Sequence, residues 1–272
     1  MREELEKKIE RSIKLLRSIP TDKGQITLAY SGGKDSDVIL ELAKMAGIPF
    51  KAVYHSTTID PPGTIRHVEE NGVEISRPKD PFFKIMQKNG YPSRFARYCC
   101  RLLKERYDSD IVIQGIRASE SKARADRYKE PEQCRVYDKK HKSRVYMPIL
   151  QWTDEDVKEF VTERGIKCHP LYYRGGQFDV TQRLGCIGCP LQYSGKRIKS
   201  SSSIRSMYAF ISRMRRNGTM RIRATGRHTS TTTPSTLSWL RSSTRNSTIS
   251  RRRRTRHTER PTGASISRNI SE

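Results

Sequence analysis

The chain has 272 residues and a formal net charge of +25, because 54 Lys and Arg residues outnumber 29 Asp and Glu residues. Hydrophobic residues make up 34% of it, and its mean hydropathy is −0.78. No stretch approaches the roughly 20 apolar residues that a membrane-spanning helix needs. The N-terminal residues Met1–Leu5 include two glutamates and lack the apolar core of a secretion signal. We therefore expect a cytoplasmic protein without membrane contact, and the charge favours an anionic partner.

The positive charge is concentrated in the last quarter of the chain. Residues 1–198 carry a net charge of +10, whereas residues 199–272 carry 17 basic and 2 acidic residues, a net charge of +15. This tail is rich in Arg, Ser and Thr and shows no lasting apolar period, so we expect it to be disordered. It is either a genuine arm that contacts the phosphates of nucleic acid or an out-of-frame translation. The abrupt change near Lys199 favours the second explanation.

In chain order, the remaining residues alternate between helix-like and strand-like segments. Leu5, Ile9, Ile13 and Leu16 have helical spacing. Strands are predicted at residues 25–30, 50–54, 73–75 and 110–114, and further helices at residues 37–46, up to residue 70, and at 81–88, 94–107 and 153–165. The spacing in Thr153-Asp154-Glu155-Asp156 predicts a capping box at the start of the last helix. This alternation predicts an α/β fold, a doubly wound parallel sheet with helices on both faces. We divide the chain into an N-terminal helix at 1–24, a main domain at 25–198 and the tail at 199–272.

The strongest local signal is the turn between the first strand and the next helix, Ser31-Gly32-Gly33-Lys34-Asp35-Ser36. The two glycines allow a close approach of the backbone to an anion. The helix N-terminus offers unpaired N–H groups and partial positive charge, and Lys34 adds a full charge. The string differs from the Walker A pattern, which disfavours a P-loop kinase or GTPase. It predicts a phosphate-binding loop.

This string resembles the PP-loop of the adenine nucleotide alpha-hydrolase-like superfamily, which includes ATP pyrophosphatases and the PAPS/APS (sulfonucleotide) reductases. Two further segments resemble the reductase branch: Gly115-Ile116-Arg117-Ala118-Ser119-Glu120-Ser121 and Pro148-Ile149-Leu150-Gln151-Trp152-Thr153-Asp154-Glu155-Asp156-Val157. The resemblance covers about residues 25–195. It implies that the chain is a sulfonucleotide reductase-like enzyme whose residues 31–36, assisted by Arg117, bind APS, PAPS or ATP, with Mg²⁺ if the ligand is ATP. Asp35 and Asp60 are then the candidates to help hold Mg²⁺.

The six cysteines suggest a second site. Cys186-Ile187-Gly188-Cys189 has the spacing at which two thiolates share one metal, and Cys99-Cys100 is a tandem pair on a predicted helix. Four thiolates suit zinc or a 4Fe–4S cluster, and a C-x-x-C can also be a redox dithiol. By residue type alone these three alternatives stay open. Cys134 is expected in a polar loop as an ordinary thiol, and Cys168-His169 is expected to be structural.

The resemblance favours the cluster. APS reductases have a Cys-Cys pair and a distant C-x-x-C that together ligate a 4Fe–4S cluster, and Cys99, Cys100, Cys186 and Cys189 match these two elements. We therefore expect these four cysteines to hold a 4Fe–4S cluster, with zinc as the alternative. Arg97, Arg101 and Lys104 would offset its negative charge.

One departure from the family pattern affects the expected reaction. Sulfonucleotide reductases use a catalytic cysteine in a C-terminal Glu-Cys-Gly-Leu-His-like motif, and a thiol reductant such as thioredoxin releases the product. This chain has no cysteine after Cys189, so its catalytic residue is unknown. Two alternatives follow: an ATP pyrophosphatase-type adenylating or sulfur-transfer enzyme, with nucleic acid as a candidate substrate, and a non-catalytic protein that binds nucleic acid through the basic tail.

Overall fold

The computed structural model describes residues 1–106, 109–136 and 142–191, together with the isolated residue 209. Apart from that residue, the tail at 199–272 lies outside the described residues. Its expected disorder and its origin therefore stay predictions. None of the described helices is long and apolar enough to cross a membrane.

A six-stranded mixed sheet forms the centre of the described chain. Its strands are β1 (Ile26–Tyr30), β2 (Lys51–His55), β3 (Glu74–Ser76), β4 (Ile111–Gln114), β5 (Glu132–Val136) and β6 (Lys142–Tyr146). Their order is β3-β2-β1-β4-β6-β5, and every neighbouring pair is parallel except β5 with β6. A separate two-stranded hairpin consists of β7 (Tyr173–Arg174) and β8 (Gln177–Phe178).

Six α-helices accompany the strands in the described residues: α1 (Glu3–Arg17), α2 (Lys34–Ala46), α3 (Thr64–Glu70), α4 (Phe82–Asn89), α5 (Lys122–Arg127) and α6 (Asp154–Glu163). Short 3₁₀ turns lie at Thr21–Lys23, Ala118–Glu120 and Pro170–Tyr172, and a π-helical turn lies at Cys100–Lys104. The capping box at the start of α6 forms as its sequence predicts, because Thr153 and Asp156 bond each other's backbone N–H.

The two faces of the sheet are covered by different hydrophobic clusters, as alternation along a strand requires. Leu28 and Ile113 belong to the main core, to which α1, α2 and α6 contribute Leu5, Leu42 and Phe160. On the adjacent position of β4, Val112 belongs to a second cluster with Val145, Met147 and Leu150. The N-terminal helix α1 thus packs into the same core as the sheet.

The predicted α/β fold is confirmed, with two differences in detail. The helix predicted at 94–107 forms only in part. Ser93 Oγ accepts hydrogen bonds from the backbone N–H of Phe95 and Ala96, which closes a turn at its predicted start. Helical residues follow at 98–104 and end in the π-helical turn Cys100–Lys104. The strands β5 and β6 were not predicted, because their sequences EQCRV and KSRVY mix charged and apolar residues. Only β5 is an edge strand, since β6 lies between β4 and β5.

The strand order places the loop 31–33 at a reversal of the sheet. From β1 the chain proceeds outward through β2 and β3 and then returns to the opposite side of β1 with β4. In open α/β sheets, ligands bind at the carboxyl ends of the strands where such a reversal occurs. Gly115, directly after β4, contacts α2 so closely that a β-carbon would lie 2.8 Å from the carbonyl oxygen of Asp35. A side chain at this position would therefore push the two segments apart.

Candidate functional site

The glycine loop between β1 and α2 is the start of the candidate site. Gly32 has φ of 73°, a left-handed conformation that favours glycine. Gly33 is the N-cap of α2, and a β-carbon there would lie 3.2 Å from the hydroxyl of Tyr172 and 3.4 Å from Ser31 Oγ. Ser36 Oγ donates to the carbonyl of Gly33 at 2.7 Å. The two glycines therefore allow other groups to approach the backbone closely at a helix N-terminus, the part of a helix where anions bind.

Lys34 brings a positive charge into this space. Its side chain is nearly buried, with the residue 3% exposed. Its Nζ lies 3.4 Å from the carbonyl of Gln182, 3.5 Å from Asp35 Oδ2 and 5.5 Å from the ring centre of Tyr172. Burial lowers the pKa of Lys34 despite the opposing effect of Asp35. A buried ammonium group with one nearby carboxylate is well suited to bind an anion.

Arg117 joins the loop to two other segments. The residue is 1% exposed. Its Nε donates to Asp35 Oδ1 at 2.7 Å, its Nη2 donates to Asp154 Oδ1 at 2.7 Å, and its Nη1 donates to Ser119 Oγ at 3.1 Å. Ser119 Oγ in turn donates to the carbonyl of Trp152 at 2.9 Å. The structure thus places Arg117 beside the loop, as predicted, but with its guanidinium already paired.

Sequence reasoning missed Asp154, Tyr172 and Gln182, all of which contact the predicted site residues. Asp154 lies in the segment that predicts the helix cap. Its acidic side chain is typical of a helix start, so the sequence indicated no further role for it. Tyr172 and Gln182 approach Lys34 from a segment more than 130 residues away, so no local pattern indicates them.

A buried polar network lies directly behind the loop, around Asp37 on α2. Asp37 Oδ1 accepts a hydrogen bond from the hydroxyl of Tyr30 and lies 3.0 Å from His67 Nε2. The His67 ring packs edge-on against that of His169, whose Nε2 lies 3.3 Å from Thr64 Oγ1. Burial raises the pKa of Asp37. The network fixes α2 to α3 and to the segment after α6.

The cysteines of the second predicted site line a common cavity of about 30 Å³. Its wall includes the four predicted ligands, Cys99, Cys100, Cys186 and Cys189, together with Lys104 and the β2–α3 loop residues Thr57 and Ile59. A hydrogen bond from Cys99 lowers the pKa of Cys100, and Arg97 adds to this effect. Within the described residues, no three His, Cys, Asp or Glu side chains are grouped as in a metal site. The cavity nevertheless contains four thiols, the donor set of a zinc or iron–sulfur site.

A sequence profile of the phosphoadenosine phosphosulfate reductase domain matches residues 25–192. The chain belongs to this family. The matched residues include the loop at 31–36, the Arg117 segment and the four cysteines.

Several known proteins are similar to this member of the family. An uncharacterized 37.8 kDa protein of Escherichia phage 186 is 38% identical over 132 residues, which are 43% of this chain and 37% of that protein. Sulfate adenylyltransferase subunit 2 of Pseudomonas aeruginosa is 24% identical over 209 residues, 65% of this chain and 68% of that one. The crystal structure of PAPS reductase from Candida auris in a phosphate complex has a TM-score of 0.48 and 16% identity, covering 68% of this chain and 96% of that chain. The chain thus matches just over a third of the phage relative's length.

The two remaining cysteines are placed differently from each other. Cys134 is exposed, and it lies on the edge strand β5, so the prediction of a loop is wrong for this residue. Cys168 is buried beside Asp37, and burial followed by the charge of Asp37 raises the pKa of its thiol. A protonated, buried thiol is a poor nucleophile.

The burial of His169 predicts that the free energy of unfolding is lower in acid than at neutral pH. Burial, followed by the neighbouring His67, lowers the pKa of His169 to about 4. In the unfolded chain a histidine has a pKa of about 6.5. Between about pH 6.5 and pH 4, His169 is therefore protonated in the unfolded chain but neutral in the folded chain. The free energy of unfolding should fall over this range as the pH decreases, by roughly 2–3 kcal/mol from this residue.

Urea unfolding of the wild type and of His169→Gln at several pH values from 7.5 to 4.5 measures this effect. Titrating groups that do not contact His169 cancel in the difference between the two proteins, so the wild type should lose more stability than the variant as the pH falls. Parallel losses in both proteins would contradict the assignment to His169.

Proposed function

We propose that this chain binds an adenine nucleotide that carries a phosphate or phosphosulfate group, and that it acts on this ligand in sulfur metabolism. The observation that carries the proposal is the position of Lys34. Its ammonium group is buried beside a glycine-lined helix N-terminus, at the reversal of the sheet. Ser31, Gly32, Gly33, Lys34, Asp35 and Ser36 form the anion site, and Arg117 supports it. The candidate ligands are APS, PAPS and ATP.

Membership of the family favours a sulfonucleotide as the ligand. A second candidate function, adenylation with ATP, has separate support. Reduction by a covalent thiol route needs a reactive cysteine, and the sequence has no cysteine beyond Cys189. Cys168, beside α2, is buried with a raised thiol pKa. The relative named sulfate adenylyltransferase subunit 2 favours ATP as the ligand and cleavage that releases pyrophosphate. In the reductase version, an external thiol reductant such as thioredoxin would supply the electrons.

With ATP, the nucleotide would bring Mg²⁺ on its phosphates. The Asp35 side chain is 18% exposed and lies at the loop, so its carboxylate is our candidate to approach the metal. Asp60, the other acidic candidate, already accepts hydrogen bonds from Thr57 N, Thr57 Oγ1 and Ser56 Oγ.

The alternative of nucleic-acid binding depends on the tail at 199–272, which is outside the described residues except for residue 209.

Substitution of Lys34 tests the nucleotide site. Loss of a charged hydrogen-bond donor costs about 1.5–3 kcal/mol, so Lys34→Ala should weaken binding of ATP, APS or PAPS about 10- to 100-fold. Lys44→Ala, at the exposed opposite end of the same helix, is the matched control and should leave affinity unchanged. Isothermal titration calorimetry measures both. Equal affinities for the two variants would contradict the proposed site.

Product analysis separates the two chemistries. Pyrophosphate release from ATP without sulfite release from APS would support the adenylating function, and sulfite release from APS or PAPS in the presence of a thiol reductant would support the reductase.

We also propose that the four-cysteine cavity holds a 4Fe–4S cluster, with Cys99, Cys100, Cys186 and Cys189 as its ligands. Support comes from the four thiols that line one cavity and from the cations beside them. Burial alone would lower the pKa of Lys104, but the thiol of Cys186 and the charge of Asp60 together raise it above its ordinary value. Arg97 forms a hydrogen bond with Cys100. These cations would offset the charge of a thiolate-ligated cluster. Such a group would supply a redox-active, negatively charged centre at this edge of the sheet.

Anaerobic purification with iron, sulfide and zinc analysis tests the cluster. Cys186→Ser should lose most of the iron and the visible absorbance, because three thiolates hold a cluster less well than four. Cys134→Ser, which removes an exposed cysteine on β5, is the matched control and should keep both. Stoichiometric zinc without sulfide in the wild type would contradict the cluster and favour the zinc alternative.

A further inference from the structure

The guanidinium of Arg117 has no free edge towards solvent, although the nucleotide site needs a cation there. Three of its nitrogens donate to Asp35, Asp154 and Ser119, and the residue is 1% exposed. The side chains of its two acidic partners differ in exposure: that of Asp35 is 18% exposed, whereas that of Asp154 is 49% exposed. Solvent and any ligand therefore reach the Arg117 pair from the side of Asp154.

The two aspartates in the first turn of α6 have separate structural contacts. Asp156 completes the capping box and pairs with Arg2 and Lys8 at 2.9 and 2.7 Å, with its own side chain 1% exposed. Asp154 takes no part in the capping box. Its position in the first turn suits the helix dipole, and its side chain pairs with Arg117 Nη2. The ion pair with Arg117 is therefore the contact that distinguishes Asp154 from Asp156.

Asp154 adds one negative charge to the group around Arg117. Lys34 and Arg117 supply two positive charges and Asp35 and Asp154 two negative ones, and beside them Arg124 and Arg183 both pair with Glu120. When the carboxylate of Asp154 turns away, this group becomes more positive by one charge. The Asp154 side chain is half-exposed, so its carboxylate can turn into water when another anion pairs with Arg117 Nη2. The pair of Arg117 with Asp35 would persist, since Nε and Nη1 keep their own partners.

We propose that Asp154 sets the ligand specificity of the site by charge: its carboxylate occupies the Nη2 edge of Arg117, and the ligand's anionic group must displace it. This inference rests on the proposed nucleotide function. Ligands with a dense anionic group, such as a phosphosulfate or a polyphosphate, replace the carboxylate with a stronger partner for the guanidinium. A weakly charged nucleotide leaves Asp154 in place and gains little from Arg117.

Asp154→Asn is the informative variant, because its amide oxygen can still accept from Nη2 while the negative charge is lost. We expect the affinity for ATP, APS and inorganic pyrophosphate to rise about 3- to 10-fold, and any binding of adenosine to stay unchanged. Asp154→Ser is a second variant that shortens the side chain and should act in the same direction. The control Asp156→Asn, two residues away on the same helix turn, should lower the melting temperature without a change in anion affinity.

Calorimetry of the full-length chain with these four probes gives distinguishable outcomes. Unchanged or weaker anion binding in both folded Asp154 variants would overturn the role of Asp154 while leaving the nucleotide site intact. Tighter pyrophosphate binding in these variants, with no nucleotide binding by any protein, would support the role of Asp154 and contradict the adenine nucleotide as ligand. Failure of every protein to bind any of the anions would overturn both proposals.

Discussion

The ion pair between Arg117 and Asp35 connects the segments on which the candidate site depends. It joins the loop after β4 to the first turn of α2, and the contact with Asp154 extends it to α6. These three segments are separated by more than 30 residues from one another along the chain. Breaking one partner of a buried pair leaves a charge without compensation, which costs about 3–5 kcal/mol. The same contacts therefore hold the loop in place and determine the charge that a ligand meets there.

Close packing supplies the second constraint on the site. Gly115 brings the end of β4 into contact with α2, and Gly33 allows the hydroxyls of Tyr172 and Ser31 to lie close to the start of the helix. Behind them, Asp37 and its buried partners fix the opposite side of α2. An anion site made of backbone N–H groups needs this rigidity, because its donors cannot reorient independently. In our proposal the loop is a rigid anion site, and the carboxylate of Asp154 is its exchangeable component.

Local sequence patterns predicted those parts of the structure that local forces determine. The strand–loop–helix around Ser31–Ser36, the periodic helix α1 and the capping box of α6 could all be read from neighbouring residues. Long-range contacts escaped prediction. Tyr172 and Gln182 reach Lys34 through the fold, Asp154 pairs with Arg117 across 37 residues, and the polar edge strand β5 gains its structure only by pairing with β6. The helix predicted at 94–107 is shortened to residues 98–104, because a serine side chain closes a turn at its predicted start.

Amide hydrogen exchange with and without nucleotide tests the central claim most directly. If the ligand's anionic group binds before α2, then APS, PAPS or ATP should slow exchange in peptides that contain residues 31–37. Peptides around Arg117 and Asp154 should change as well, because their ion pair rearranges. Ligand-induced protection confined to other parts of the chain, with exchange at residues 31–37 unchanged under saturating nucleotide, would contradict the account.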